Sequence, residues 1–431
     1  MDWEPTLGAI LGEDNSCEFR VWAPHVKRVD VHLIGEGEAD RYVSMARMEQ
    51  DYYRAVVEGL MPGQLYRYRL DGADEYPDPV SRYQPDGVNG ASQVVDRRYL
   101  WRDEAWKGHS LKDYIIYELH VGTYSPEGTF LGAIPFLDEL VELGITAVEL
   151  MPLAEFPGEQ GWGYDGVFLF APHHAYGTPD DFKTLIDACH ERGIAVILDV
   201  VYNHFGPEGN CLPKYADYTR PIYKGPWGDA VNVDGPYSDE VRRFFIENAS
   251  FWLSEYHIDA LRLDATHFIY DFSPYTFLEE LVDSVDRLCK TSGKNIYLIA
   301  EDDRNLAKLV QPRGDGGIGM SAQWLDDFHH SLHTNLIGEN YAYYQDFGLF
   351  WQLEKTFREG FVYSGQYAPN RKRRHGTSSA EVPAERFIVF IQNHDQIGNR
   401  MPNDRYVKIF SHEQVKLAVG TVMISPYLPL I

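Results

Sequence analysis

The chain has 431 residues, 44% apolar and 24% charged, the make-up of an ordinary globular protein with room for a large barrel and an accessory module. Its 65 acidic residues against 39 basic ones leave a net charge of −26, which repels nucleic acid and anionic membrane and argues against a large phosphorylated substrate. Runs approaching the ~20 apolar residues of a membrane helix are missing, MDWEPTLGAILGEDNS lacks the pattern of a signal peptide, and Cys17, Cys189, Cys211 and Cys289 show no CxxC spacing. A cytosolic protein without a zinc site or a disulfide framework is therefore expected.

Residues 1 to about 100 read as all-β: CEFRVWAP, RVDVHLIG and YRYRL are short runs separated by turn chemistry such as GED and MPGQ, which predicts a small β-sandwich. YLWRDEAWKGHSLKD follows as a linker. From about 111 onward, strands alternate with helical periodicity. DYIIYELHV is the first strand, FLDELVELG a helix stopped by Gly144, and ITAVELMPL the second strand. DDFKTLIDACHERG leads into IAVILDVVYNH, VRRFFIENASFWLSEYH into IDALRLDATH, and TFLEELVDSVDRLCKTSG into NIYLIAED. SAQWLDDF, RFIVFIQNHD and TVMISPYLPL complete eight strands. This alternation predicts an α/β fold, a parallel (β/α)8 TIM-type barrel over 101–431 preceded by an all-β sandwich over 1–100. An open doubly wound sheet is disfavoured because no glycine-rich phosphate loop follows the first strand. A short insertion, about 205–238, follows strand three. The chain ends at SPYLPLI without an eighth helix, so it reads as truncated near the eighth strand and without a C-terminal β-domain. The basic run Arg371 to His375 is expected to be a solvated loop.

Active sites of such barrels are built at the C-terminal strand ends. There the third strand offers Asp199, Asn203 and His204, and the fourth Arg262, Asp264 and His267. The fifth offers Glu301, Asp302 and Asp303, and the seventh Asn393, His394 and Asp395. A period of two puts Arg262 and Asp264 on the inner face, with Leu261 and Leu263 turned toward the helices. A buried carboxylate needs a partner, and Arg262 would keep Asp264 ionised. Acidic neighbours should raise Glu301 and hold its proton. One ionised and one protonated carboxyl is the division of labour of a glycosidase. Neighbouring strands allow a separation of about 5–5.5 Å, the retaining geometry. Singly, Asp264 with Arg262 reads as an ordinary buried ion pair, and His204 or His394 as a core histidine. Polar groups at four strand ends together have no cheap structural reason, since each must be desolvated. A metal centre is the rival reading, but neither HxH nor HExxH occurs at these positions.

DVVYNH, LRLDATH, IAED and QNHDQ resemble, in order and spacing, the four short motifs of the alpha-amylase superfamily of glycoside hydrolases. FRVWAP is similar to the start of the β-sandwich found in its branching and debranching members. Within the superfamily, EFPGEQGWGYDGVFLFAPHHAYG, LRLDATHFI and AEDDRN resemble the malto-oligosyltrehalose trehalohydrolases. A 1,4-α-glucan branching enzyme or related transferase is the alternative. The resemblance implies Asp264 as nucleophile, Glu301 as general acid and then base, and Asp395 as stabiliser of the oxocarbenium-like transition state. It implies Arg262 as the group that orients Asp264, His204 and His394 as hydroxyl-binding residues, and Asp199 and Asn203 as supports of the third strand end. Tyr164 is the implied stacking platform, with His267 and Trp162 at neighbouring subsites. The implied substrate is an α-glucan such as maltooligosyltrehalose, with a maltooligosyltrehalose synthase as functional partner. No cofactor is expected. No metal is expected either, since the excursion after strand three shows no clear calcium-ligand pattern.

Overall fold

The computed structural model describes residues 3–35, 39–399 and 404–431. The N-terminal strands form two antiparallel sheets. One contains Gly8–Leu11, Cys17–Trp22, Tyr52–Val57 and Ala46–Arg47. The other contains Arg41–Ser44, Val29–Leu33, Leu65–Leu70 and Glu75–Tyr76, with Ser92–Gln93 also paired to Leu65–Leu70. In CEFRVW, the alternation turns Cys17, Phe19 and Val21 inward, where they meet Val31, Tyr53, Tyr66 and Tyr68 from the facing strands. The sandwich docks on the following barrel: Glu247 of the long helix Ser238–Glu255 accepts the backbone N–H groups of Thr6 (2.6 Å) and Leu7 (2.8 Å). Trp22 packs edge-on to Tyr218, with ring centres 5.5 Å apart.

Eight parallel strands close into a barrel: Ile116–Leu119, Ala147–Leu150, Ala195–Val200, Ala260–Leu263, Tyr297–Ala300, Ala322–Trp324, Phe387–Phe390 and Leu428–Leu430. Closure is made by the eighth strand pairing with the first at Leu430 and Ile116. The fourth strand has the expected facing. Leu261 and Leu263 join the layer of Phe245, Trp252 and Leu281 under the helices, whereas Ala260 joins the interior with Ile197, Ile299 and Ala322. Two expectations change. In TVMISPYLPL only Leu428–Leu430 is strand. Ser411 and Gln414 form a capping box that starts the helix His412–Met423, which takes up Thr421 to Met423, and Pro426 bars its continuation. The Arg371 to His375 run is not simply a solvated loop: Arg373–Arg374 pairs with Tyr367–Ala368, His375 is buried, and Arg371 lies 3.3 Å from Asp303. Among the described residues, no helix is long and apolar enough to cross a membrane.

The linker seals the N-terminal end of the barrel through a buried network. His190 donates Nδ1–H to Asp103 (2.8 Å) and Nε2–H to Asp259 (3.0 Å), while the Trp106 indole donates to Asp259 at 2.7 Å. Burial opposes a charge on His190, but the two carboxylates outweigh it and raise its pKa. Asp103 is lowered despite burial, by its bonds to His190 and His257. Stability from Asp103 is therefore present above the ordinary carboxylate pKa and is lost as pH falls through the depressed value. Stability from His190 is complete below the ordinary histidine pKa and is lost as pH rises through the raised one. D103N should cost about 3 kcal/mol. The gap to the parent should be widest between about pH 4 and 6.5 and should narrow on both sides, as read by urea midpoints across pH.

Candidate active site

The carboxylates meet around Arg262, which is fully buried. Its strand pairs with the third so that Asp199 and Arg262 stand side by side on the inner face. Arg262 Nη1 donates to both Asp199 oxygens (2.9 and 2.7 Å) and to Asp264 Oδ1 (2.9 Å). Its Nη2 lies 3.2 Å from Glu301 Oε2. One guanidinium thus touches three carboxyls from three consecutive strands. The Trp324 ring supports it from below, 4.2 Å from the guanidinium carbon.

The chain turns sharply between the two central carboxyls. Asp264 N–H still pairs with Val200 O at 3.0 Å, and Glu301 N–H with Leu263 O at 3.0 Å, so each extends its strand by one bond. Ala265 then adopts φ 42°, a left-handed conformation unfavourable to a residue with a Cβ. Three bonds hold it there. Ala265 N–H donates to Glu301 Oε2 at 2.6 Å, and Thr266 N–H and its hydroxyl both donate to the Glu301 carbonyl at 2.9 Å. Asn203 adds its amide to Asp264 Oδ2 at 2.8 Å and to the Asp264 carbonyl at 2.9 Å. The left-handed turn therefore fixes Asp264 relative to Glu301.

Glu301 is raised well above the usual carboxylate range. Burial is the main cause, Arg262 opposes it, and Asp264, Asp395 and Asp326 add to it. The direction agrees with the sequence, but the cause differs. The sequence neighbours Asp302 and Asp303 are engaged elsewhere: Asp302 pairs with Arg304 and accepts the Thr266 hydroxyl at 2.8 Å, while Asp303 pairs with Arg371. The charges that act on Glu301 come from the fourth, sixth and seventh strands. Burial, only partly offset by Arg262, also pushes Asp199 up to about 6.

Tyr164 enters from the excursion after the second strand. Its hydroxyl donates to Asp199 Oδ2 at 2.7 Å and meets His394 Nε2 at 2.7 Å, with the two rings stacked 5.2 Å apart. Trp162, half exposed, stands edge-on to His394 at 5.6 Å. His204 turns Nδ1 to Asn203 Oδ1 (2.6 Å) and Nε2 to the Tyr164 carbonyl (3.0 Å), and burial lowers its pKa. Asp395 lies in the first turn of the short helix His394–Gly398 and keeps a side chain 44% exposed. His267 lies at the rim, 3.9 Å from Asp303. All the residues proposed from the sequence thus gather at one end of the barrel.

Several neighbours were not singled out from the sequence. Trp227, from the hairpin Thr219–Gly225 and Gly228–Val231, stacks on His204 at 5.0 Å and meets Phe268 edge-on at 5.2 Å. Asp326, just past the sixth strand, is pushed up to about 7 by burial and by Asp395 and Asp303. Glu118 binds His394, and the inward alternation of IYEL could have revealed it. Among the described residues, two clusters bring metal-type ligand atoms within 4.8 Å of one another, Glu155 with His173 and His174, and His267 with Asp302 and Asp303. In both, ligand atoms are already hydrogen-bonded to protein groups: His174 to Glu155, His173 to the Gly158 carbonyl, and Asp302 to Arg304.

Comparison with known proteins matches the architecture in two parts. Carbohydrate-binding module 48 (Isoamylase N-terminal domain) matches residues 6–86, and Alpha amylase, catalytic domain, matches residues 76–224. A malto-oligosyltrehalose trehalohydrolase of Saccharolobus solfataricus is 43% identical over 426 residues, covering 99% of this chain and 74% of that protein. The chain belongs to the malto-oligosyltrehalose trehalohydrolase family. A 1,4-alpha-glucan branching enzyme of Pseudoalteromonas atlantica stands further from this trehalohydrolase-family chain, at 32% identity over 80% of it and 53% of the enzyme. A solved structure from Salmonella typhimurium, described as an alpha amylase, is 42% identical with a TM-score of 0.92, covering 99% of this chain and 72% of its own.

Proposed function

We propose that the chain is a retaining glycoside hydrolase acting on maltooligosyltrehalose. It cleaves the α-1,4-glucosidic bond next to the terminal trehalose and releases trehalose and a maltooligosaccharide. Family membership supports the substrate. The observation that carries the chemistry is the buried guanidinium of Arg262, hydrogen-bonded to Asp264 and within ion-pair distance of a Glu301 that burial holds protonated. In this reading, the Asp264 carboxylate attacks the anomeric carbon and Glu301 gives its proton to the departing glycosidic oxygen. A water then attacks the covalent glycosyl-enzyme, Glu301 takes its proton, and Asp264 is freed. Asp395, its side chain partly exposed, grips sugar hydroxyls as the ring flattens. Trp162, Tyr164, His204, His394 and His267 line the subsites around the cleavage point, and Asp199 and Asn203 hold Arg262 and Asp264.

Residues 1 to about 100 serve as a carbohydrate-binding-like module and 101–431 as the catalytic barrel. Four unpaired cysteines fit a reducing compartment, the cytosol, where a synthase would supply maltooligosyltrehalose. Incubation with maltooligosyltrehalose should release free trehalose. New branch points on amylose without trehalose would instead establish a transferase. Because Glu301 must carry its proton, kcat/KM should fall as pH rises through its elevated pKa, and E301Q should remove that limb together with nearly all activity.

A further inference from the structure

Glu118 lies on the first barrel strand, two strands away from the seventh around the ring, yet it reaches His394, in the loop-to-helix turn just past the seventh. Its Oε2 accepts the His394 backbone N–H at 2.9 Å and its Oε1 accepts the ring Nδ1–H at 2.6 Å. The carboxylate thereby fixes both the backbone and the ring of one residue. The far ring nitrogen meets the Tyr164 hydroxyl at 2.7 Å, and that hydroxyl donates to Asp199, which receives two bonds from Arg262. We propose that Glu118 is a positioning residue for the reaction: by gripping His394 it sets Tyr164 and, through it, the Asp199–Arg262 pair that aims Asp264. The inference rests on the catalytic reading above.

Several features of the site fit this role. An uninterrupted chain of charge-assisted bonds joins the first, third, fourth and seventh strands, and a bond to a charged partner is stronger and more directional than a neutral one. The residue beside Glu118 on the second strand is Glu149, which is fully buried and held neutral by that burial, with Glu118 and Asp199 adding to the effect. His394 is raised to about 9: burial resists its charge, Glu118 overcomes that resistance with help from Asp395, and Arg262 opposes. The other faces of the ring meet Tyr164, Trp162 and Trp324, which carry no charge. An imidazolium can only donate from Nε2, so the Tyr164 hydroxyl must accept there and give its own proton to Asp199. A neutral His394 with its proton on Nδ1 would accept at Nε2 and compete with Asp199 for that proton.

The test is E118Q, which preserves shape, in the full chain. With ¹⁵N-histidine labelling, His394 in the parent should remain protonated on both nitrogens at pH 8. In E118Q, where burial is no longer overcome by Glu118, it should have lost one of these protons at pH 8. In the same variant, kcat on maltooligosyltrehalose should fall about 10- to 100-fold with KM changed less than threefold, as for a group acting through transition-state geometry. E118D, which keeps the charge, should restore much of the protonation and part of the rate. The assignment is overturned if His394 in the parent is neutral at pH 8, if it stays doubly protonated in E118Q, or if E118Q keeps kcat within twofold. Because the NMR readout needs no turnover, a failure of the substrate reading would leave it unaffected. Should E118Q not fold, the parent titration and E118D decide the matter.

Discussion

D264N should lose at least about 10⁴-fold in kcat on maltooligosyltrehalose, close to the uncatalysed background that binding and the remaining groups provide. The amide cannot attack the anomeric carbon, so the covalent intermediate does not form. The replacement is nearly isosteric, and its carbonyl oxygen can still accept from Arg262 Nη1, as Asp264 does at 2.9 Å. Asn203, which now donates to the other oxygen at 2.8 Å, would face an amide N–H, so a stability loss of about 1–3 kcal/mol is expected without unfolding. Asp264 also helps to raise Glu301, so its neutralisation should lower the Glu301 pKa and move the residual alkaline limb to lower pH. Retention of activity within tenfold of the parent, in protein with a normal melting curve, would remove Asp264 from the role of nucleophile.

R262M should combine the largest stability loss with abolished activity. The cation lies fully buried between Asp199, Asp264 and Glu301, and its removal leaves the Asp199 and Asp264 carboxylates without a counter-charge. Breaking a buried ion pair from one side costs about 3–5 kcal/mol. The sign of the pH dependence follows. Burial already raises Asp199 to about 6 against the opposition of Arg262, and without the cation it rises further. The folded variant then binds protons more readily, and its deficit against the parent shrinks as pH falls. R262K keeps the charge but not the planar fork. It should recover part of the stability but little of the rate, since one ammonium has no second nitrogen to meet Glu301 as Nη2 does and no flat face to lie against the Trp324 ring. Chemical denaturation at pH 5 and pH 8, beside trehalose release, separates the two effects. A deficit that grows toward low pH would show that Arg262 does not hold these carboxylates charged.

Local pattern made much of the fold readable. A capping box at Thr276 and Glu279, with Gly293 in a left-handed C-cap, marks its helix almost to the residue. IDALRLDATHF showed which side chains face inward, because a period of two leaves no other assignment. The eighth strand was harder to place. Thr421 to Met423 suits strand and helix alike, and the choice falls to the distant Ser411 cap. The strand-end residues were legible because register in a barrel is tied to chain direction: whatever follows a strand's last apolar residue lies at the active end.

The amino-acid sequence by itself determined the barrel, the inward placement of Arg262 and Asp264 and the set of carboxyls at the strand ends, because these depend on periodicity within single segments. Only the tertiary structure decided which charges act on which. Asp302 and Asp303, next in sequence to Glu301, turn to Arg304 and Arg371, while Asp264, Asp326 and Asp395 act on Glu301 from other strands. Glu118 reaches His394 across 276 positions of chain. Electrostatic interaction depends on distance and burial in space, and neither is encoded in the spacing of residues along one strand.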